Sequence, residues 1–120
     1  MKNELKQEYS KAVKFKETGQ LDAAKKLLID LAEKDPKSPA ILAVLGDVYW
    51  EMGILEEAVN TFKRAVELAP TLEAVSLGLF HCLWKLGRRE DALVEIKRFQ
   101  SVADSEDYRE IVKEINEKLE

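Results

Sequence analysis

The stretch "LEEAVNTFKRAVELAP", from Leu55 to Pro70, repeats the pattern of "LDAAKKLLIDLAEKDP", from Leu21 to Pro36, at an interval of 34 residues. Both segments place apolar residues at the spacings of an amphipathic helix, and both end in a proline, through which a helix does not continue. A pattern that recurs at a fixed interval of about 20–50 residues is typical of stacked supersecondary units. The sequence therefore predicts a helical repeat protein.

Further residues extend the repeat over most of the chain. The positions that recur at intervals of 34 are Gly19, Gly53 and Gly87; Ala24, Ala58 and Ala92; and Phe15, Tyr49 and Leu83. Glycine ends a helix because it adopts the left-handed conformation, and alanine lets two helices approach closely. Each interval is therefore predicted to hold two antiparallel helices joined by a short turn.

The middle repeat carries the fullest signature, formed by Leu45, Gly46, Tyr49, Ala58, Phe62, Ala65 and Pro70. At these residues the chain resembles the tetratricopeptide repeat (TPR) family, whose units are 34-residue helical pairs. The first repeat matches through Ala12, Phe15, Gly19, Ala24 and Pro36, and the third through Leu79, Gly87 and Ala92. The resemblance implies an all-α fold, a right-handed α-α superhelix (TPR solenoid) of about seven antiparallel helices.

One TPR domain is expected to occupy the whole chain. The predicted domain spans residues 1–120. It contains repeats at about 5–38, 39–72 and 73–106 and a capping helix at about 105–119. Ser105 is the predicted N-cap of that helix. Its apolar stripe consists of Tyr108, Ile111, Val112, Ile115 and Leu119.

The third repeat departs from the pattern at two positions. Phe80 stands where the earlier repeats have Ala12 and Gly46, and Asp104 stands where they have proline. We expect the large ring of Phe80 to widen or rotate the third helical pair. We also interpret it as a marker of the end of the stack, where a terminal repeat needs a polar outer face.

Charge and composition narrow the classes of partner. Lys and Arg number 19 against 23 Asp and Glu, so the net charge of −4 provides no field that attracts nucleic acid. The single cysteine, Cys82, excludes an internal disulfide and fits a reducing compartment. The sequence has neither the apolar segment of a secretory signal nor an apolar run long enough to span a membrane. This favours a cytoplasmic protein without membrane insertion. Removal of a secretory signal would leave the same sequence.

The residues needed for catalysis are scarce. His81 is the only histidine, and the neighbouring Cys82 points about 100° away from it on a helix. We therefore do not expect a cysteine–histidine nucleophile, and a histidine-based metal site lacks partners at ligand spacing. A glycine-rich phosphate loop is also missing. The prediction is a non-enzymatic protein with no catalytic residues, no metal and no cofactor.

The resemblance to the TPR family implies that the first helix of each pair lines a concave groove. The predicted partner-binding residues on that face are Tyr9, Val13, Lys16, Ala43, Asp47, Trp50, Leu77, His81 and Trp84. Trp50 and Trp84 occupy the same repeat position. Two interpretations stay open: each indole packs over a neighbouring helix, or the pair forms a platform for an apolar peptide.

A known TPR binding mode is disfavoured. Family members that hold the acidic tails of heat-shock chaperones use Lys, Asn and Arg at inner positions that hold Tyr9, Val13, Asp47, Ala74 and Gly78 in this chain. The leading hypothesis is an adaptor or chaperone-like module that binds an apolar or amphipathic segment of another protein. The alternatives are a self-assembling scaffold or homodimer, and a neutralising protein that occludes a toxin or enzyme.

Overall fold

The computed structural model describes residues 1–119, in which all regular structure is helical. A short 3₁₀ turn at Asn3–Leu5 is followed by α1 (Lys6–Glu17), α2 (Leu21–Lys34), α3 (Pro39–Glu51), α4 (Leu55–Leu68), α5 (Glu73–Lys85), α6 (Arg89–Val102) and α7 (Glu106–Leu119). The all-α prediction of seven helices is confirmed. Among the described residues, no helix has the length and apolar character that crossing a bilayer requires.

The three glycines of the ladder end the first helix of each pair. Gly19, Gly53 and Gly87 have φ angles of 78°, 76° and 79°, in the left-handed region. After the second of them, the backbone N–H of Ile54 donates to the carbonyl of Tyr49 at 2.9 Å, which satisfies a carbonyl at the helix end. The left-handed turn reverses the chain and starts the antiparallel partner helix.

Two helices begin at serine caps. The Ser38 hydroxyl accepts a hydrogen bond from the backbone N–H of Ile41 at 3.4 Å, and Pro39 occupies the first helical position of α3. The Ser105 hydroxyl accepts from the backbone N–H of Tyr108 at 3.0 Å. The predicted N-cap at Ser105 is therefore present at the start of α7.

The ring of Phe62 on α4 lies between two glycines of neighbouring helices. A Cβ atom on Gly46 of α3 would come within 2.7 Å of the ring, and one on Gly78 of α5 within 2.6 Å. Only residues without a side chain leave space for the ring at both places. Gly46 belongs to the predicted repeat signature, whereas Gly78 lies 32 residues further on, outside the 34-residue ladder, and its packing role was not predicted.

A repeated side-chain contact links successive pairs. The Arg64 guanidinium donates to the carbonyl of Pro36 at 3.5 Å, and the Arg98 guanidinium donates to the carbonyl of Pro70 at 3.0 Å. Both members of the contact recur after 34 residues. Each arginine therefore contacts the backbone just beyond the helix that ends the preceding repeat, where carbonyl groups lack helical partners.

The last helix, α7, is held mainly by large side chains, because its backbone stands further from α5 and α6 than neighbouring helices elsewhere stand from each other. Tyr108 is fully buried, and its ring centroid lies 6.0 Å from that of Phe80 and 5.5 Å from that of Phe99. Phe80 therefore contacts the capping helix, which fits its interpretation as the end of the stack. The apolar stripe of α7 was predicted to continue to Leu119, whose side chain lies outside the described part of the chain.

A buried polar network fixes the tyrosine. The Ser76 hydroxyl donates to Glu95 Oε2 at 2.6 Å and lies 2.6 Å from the Tyr108 hydroxyl, which therefore acts as the donor in that second bond. Arg98 neutralises the buried carboxylate with hydrogen bonds of 2.8 and 2.7 Å from Nε and Nη2. Burial raises the pKa of Tyr108, so the phenol keeps its proton. The network joins α5, α6 and α7 in one geometry.

The space around Phe62 can be tested with Gly78→Ala. Alanine favours a helix over glycine by about 1 kcal/mol, but its Cβ overlaps the ring, and overpacking costs about 1–3 kcal/mol. We expect a net loss of stability in urea denaturation followed by circular dichroism. In a Phe62→Leu background the same change should cost less, and the double-mutant cycle should show that coupling. An unchanged or higher stability of Gly78→Ala would contradict the packing.

Candidate partner-binding groove

The nine predicted groove residues lie on α1, α3 and α5, the first helices of the three pairs. These helices are side by side, since α3 contacts both α1 and α5. Lys16 of α1 forms a salt bridge of 3.2 Å with Glu51 of α3, and the Lys85 ammonium of α5 lies 5.9 Å from the ring centroid of Trp50. We call this shared surface the groove face. It consists of Tyr9, Val13, Lys16, Ala43, Asp47, Trp50, Leu77, His81 and Trp84.

Trp50 and Trp84 share a repeat position but have different surroundings. Trp50 is 37% exposed beneath the Lys85 ammonium. Trp84 is half-buried, with its ring 5.6 Å from that of Phe80 and the guanidinium carbon of Arg89 at 4.8 Å from its centroid. Trp84 therefore combines packing with an accessible surface, whereas Trp50 mainly offers surface. Their role in binding stays a prediction.

The middle of the groove face contains a small group of charges. The Asp47 side chain is exposed, yet the surrounding protein displaces part of its hydration water and raises the pKa of its carboxyl group. Lys16 lowers that pKa by attraction, and Glu51 raises it by repulsion. This group of charges leaves no excess positive charge that would attract an acidic ligand.

His81 and Cys82 do not form a nucleophilic pair. Cys82 is fully buried, and burial, together with repulsion from Asp47, raises the pKa of its thiol to about 11. His81 is exposed and lies edge-on to Phe80, with 5.2 Å between the ring centroids. Residues 1–119 also contain no cluster of three or more groups that could hold a metal ion.

A pocket of about 500 Å³ opens at the last repeat, between α5 and α7. We call it the α5/α7 pocket. Its lining consists of Phe80, His81, Trp84, Arg89, Ile111, Glu114, Ile115 and Lys118. Buried Phe80 and half-buried Trp84 supply an aromatic floor, and the exposed charged side chains stand at the rim. The pocket continues the groove face because His81 and Trp84 belong to both.

The contribution of α7 to this site was not predicted from the sequence. Ile111 and Ile115 were predicted as part of the stripe that closes the stack, and both are partly buried. They also face the space beside Trp84. The available signal was the position of α7 in the chain, since a helix that follows three complete pairs takes the place of the next first helix.

The family assignment follows from comparison with known sequences. The profile of the tetratricopeptide repeat family matches residues 16–71 and 49–114, which together span most of the chain. The chain belongs to the tetratricopeptide repeat family. Comparison with curated protein sequences finds no significant match.

Solved structures share the fold at low sequence identity. A single-site mutant of MamA is 25% identical, with a TM-score of 0.76 over 87% of this chain and 76% of that protein. The type III secretion translocator chaperone SycD of Yersinia enterocolitica is 19% identical, with a TM-score of 0.80 over 98% of this chain and 89% of the other. SycD in complex with a peptide of the translocator YopD gives a TM-score of 0.82 at 19% identity, over 98% and 90% of the two chains.

The environment of Cys82 predicts an unreactive thiol. With a pKa of about 11, roughly one thiol in a thousand is ionised at pH 8, and burial also blocks the reagent. We expect negligible reaction with Ellman's reagent in the native state and complete reaction in denaturing urea. The thiolate fraction grows as the pH rises toward the pKa, so native labelling should become faster above pH 10 or so. Rapid labelling of the native protein at pH 8 would show that Cys82 is accessible.

Proposed function

We propose that the protein is a non-enzymatic interaction module, of adaptor or chaperone type, that binds an apolar or amphipathic segment of another protein on its groove face. The observation that carries the proposal is the continuity of partly exposed apolar side chains across three helices into the α5/α7 pocket. Such a strip buries its apolar surface fully only when a partner covers it.

The chemistry of the strip suits a peptide. Tyr9, Trp50 and Trp84 present aromatic rings with polar atoms, and aromatic side chains dominate the binding energy of protein interfaces. Ala43 and Leu77 add partly buried aliphatic side chains to the groove face. The pairing of Lys16 with Glu51 leaves little net charge near the centre. The expected ligand is therefore mainly apolar, with charges toward its ends.

The comparisons support this class of function. SycD, which has the same fold, has been solved in complex with a peptide of YopD. At 19% identity the likeness concerns the fold, so the partner of this chain does not follow from it.

The remaining parts of the proposal concern catalysis and location. A buried thiol and a separate exposed histidine give no support to a catalytic function, so we propose that the protein binds without a cofactor or a metal. We place it in the cytoplasm, because its one cysteine is a free thiol.

The groove can be tested with a random peptide library displayed on phage. Peptides selected on the wild-type protein are synthesised and titrated by tryptophan fluorescence and calorimetry. We expect Trp50→Ala to weaken binding about tenfold or more, as truncation of a central aromatic contact does. Trp84→Ala should weaken it as well, with circular dichroism confirming that the variant is folded.

The matched control is Ile29→Ala, which truncates a similarly exposed apolar residue on α2, outside the groove face. It should leave the affinity unchanged. If the selected peptides bind Trp50→Ala and wild type equally well, the proposed groove is wrong.

Self-association is a second candidate, favoured by exposed aliphatic side chains on α6. Leu93, Val94 and Val102 are 37%, 64% and 50% exposed. Sedimentation velocity over a range of concentrations should then show a dimer that Val94→Glu disrupts. A monomer at every concentration would remove this candidate. The neutralising alternative gains no support, since the groove face carries charges of both signs.

A further inference from the structure

We propose that the α5/α7 pocket is the anchor point of the groove and receives one bulky apolar side chain with a carboxylate beside it. The inference rests on the proposed function, and it adds the chemistry of the partner at one position. The occupant is a protein segment in which a large aliphatic or aromatic residue is adjacent to Asp or Glu.

The volume and the floor of the pocket favour a ligand with a bulky apolar side chain. Its volume of about 500 Å³ falls within the range of about 300–1,000 Å³ that is typical of ligand sites. The floor is formed by the rings of Phe80 and Trp84, and Ile111 and Ile115 add aliphatic surface from the opposite helix. A large apolar side chain would displace water from surfaces on two helices at once, and that burial is favourable.

The pocket exists because of the way α7 is held. Tyr108 bridges the gap between helices near the start of α7, whereas the backbone of this helix stands away from α5 and α6. Ile111 and Ile115 are consequently only partly buried. The gap is therefore a consequence of the packing and remains unfilled by the described side chains.

The charges at the rim of the pocket favour a ligand that carries a carboxylate. Arg89 and Lys118 line the pocket together with a single carboxylate, that of Glu114. Neither cation forms a salt bridge with another described side chain. The stacking of Arg89 on the Trp84 ring at 4.8 Å also restrains its guanidinium beside the opening. An incoming carboxylate would therefore meet an excess positive charge that is already in position.

The rest of the groove face provides a contrast. Near its centre, the cations Lys16 and Lys85 are balanced by the carboxylates of Asp47 and Glu51. At the α5/α7 pocket, by contrast, two cations and one carboxylate surround an apolar floor. This complementarity favours an acidic residue next to the anchor, in preference to a neutral or a basic residue.

Small probes that mimic the anchor test the inference directly. Hydrocinnamate carries a phenyl ring and a carboxylate, and phenethylammonium carries the same ring and a cation. Both are titrated into the ¹⁵N-labelled protein and followed by two-dimensional NMR. We expect saturable shifts at the Trp84 indole N–H and at the amides of Ile111 and Ile115. Hydrocinnamate should bind about two- to fivefold more tightly, the size expected for a partly exposed charge pair.

The charge of the rim is then reversed in the double variant Arg89→Glu, Lys118→Glu, which should prefer phenethylammonium. The control is Lys37→Glu, Lys113→Glu, with the same change of net charge at exposed positions that do not line the pocket. It should keep the preference of wild type. Both variants change only exposed side chains, so their folds should remain intact.

Two results would overturn the inference: no saturable shift at the pocket, or a preference that the rim reversal leaves unchanged. Library peptides that still depend on Trp50 would then keep the proposed function intact without this anchor. Conversely, if hydrocinnamate binds while no peptide depends on Trp50, the proposed function fails. The pocket would then be a site for a small anionic ligand, and its assignment to a protein segment would be wrong.

Discussion

The contact of the Phe62 ring with two helix backbones determines the spacing of the central part of the molecule. Gly46 and Gly78 each leave one side of the ring open, so α3 and α5 both approach α4 through the same side chain. The two first helices are consequently neighbours as well. Their accessible residues, Trp50 and Trp84, therefore belong to one surface and do not face different directions.

A different kind of interaction closes the stack. The interior is apolar around Phe62, whereas the large side chains that hold α7 are joined by a buried carboxylate, two hydroxyl groups and a guanidinium. Leaving the Glu95 carboxylate buried without Arg98 would cost about 3–5 kcal/mol. This cost favours the arrangement in which the network is complete. Apolar packing tolerates small shifts of a helix, but a chain of directional hydrogen bonds specifies one position for Tyr108. The polar network therefore determines the position of α7 at the end of the stack, where the 34-residue repeat pattern no longer applies.

The 34-residue pattern predicted the three helical pairs and their turns at Gly19, Gly53 and Gly87. The serine at position 105 and the apolar stripe after it predicted the seventh helix and its cap. These features depend on local conformation and on spacing along the chain, which a sequence displays directly. Gly78 was missed because its role depends on a ring in another helix. The network of Ser76 and Glu95 was also missed, since no local pattern announces a contact between distant polar residues. The pocket depends on how far α7 stands from α5, a distance that periodicity does not encode.

Burial decreases along α7, from the fully buried Tyr108 through the partly buried Ile111 and Ile115 to the exposed Lys118. Lys118 lies ten residues beyond Tyr108 on α7. This separation corresponds to about 15 Å of helix at about 1.5 Å per residue. A tilt of about 10° around Tyr108 would move the far end of the helix by about 3 Å. Such a tilt would change the width of the pocket opening, but it would leave the signs of the charges at the rim unchanged. Discrimination among ligands would then depend more on the charge at its rim than on their shape.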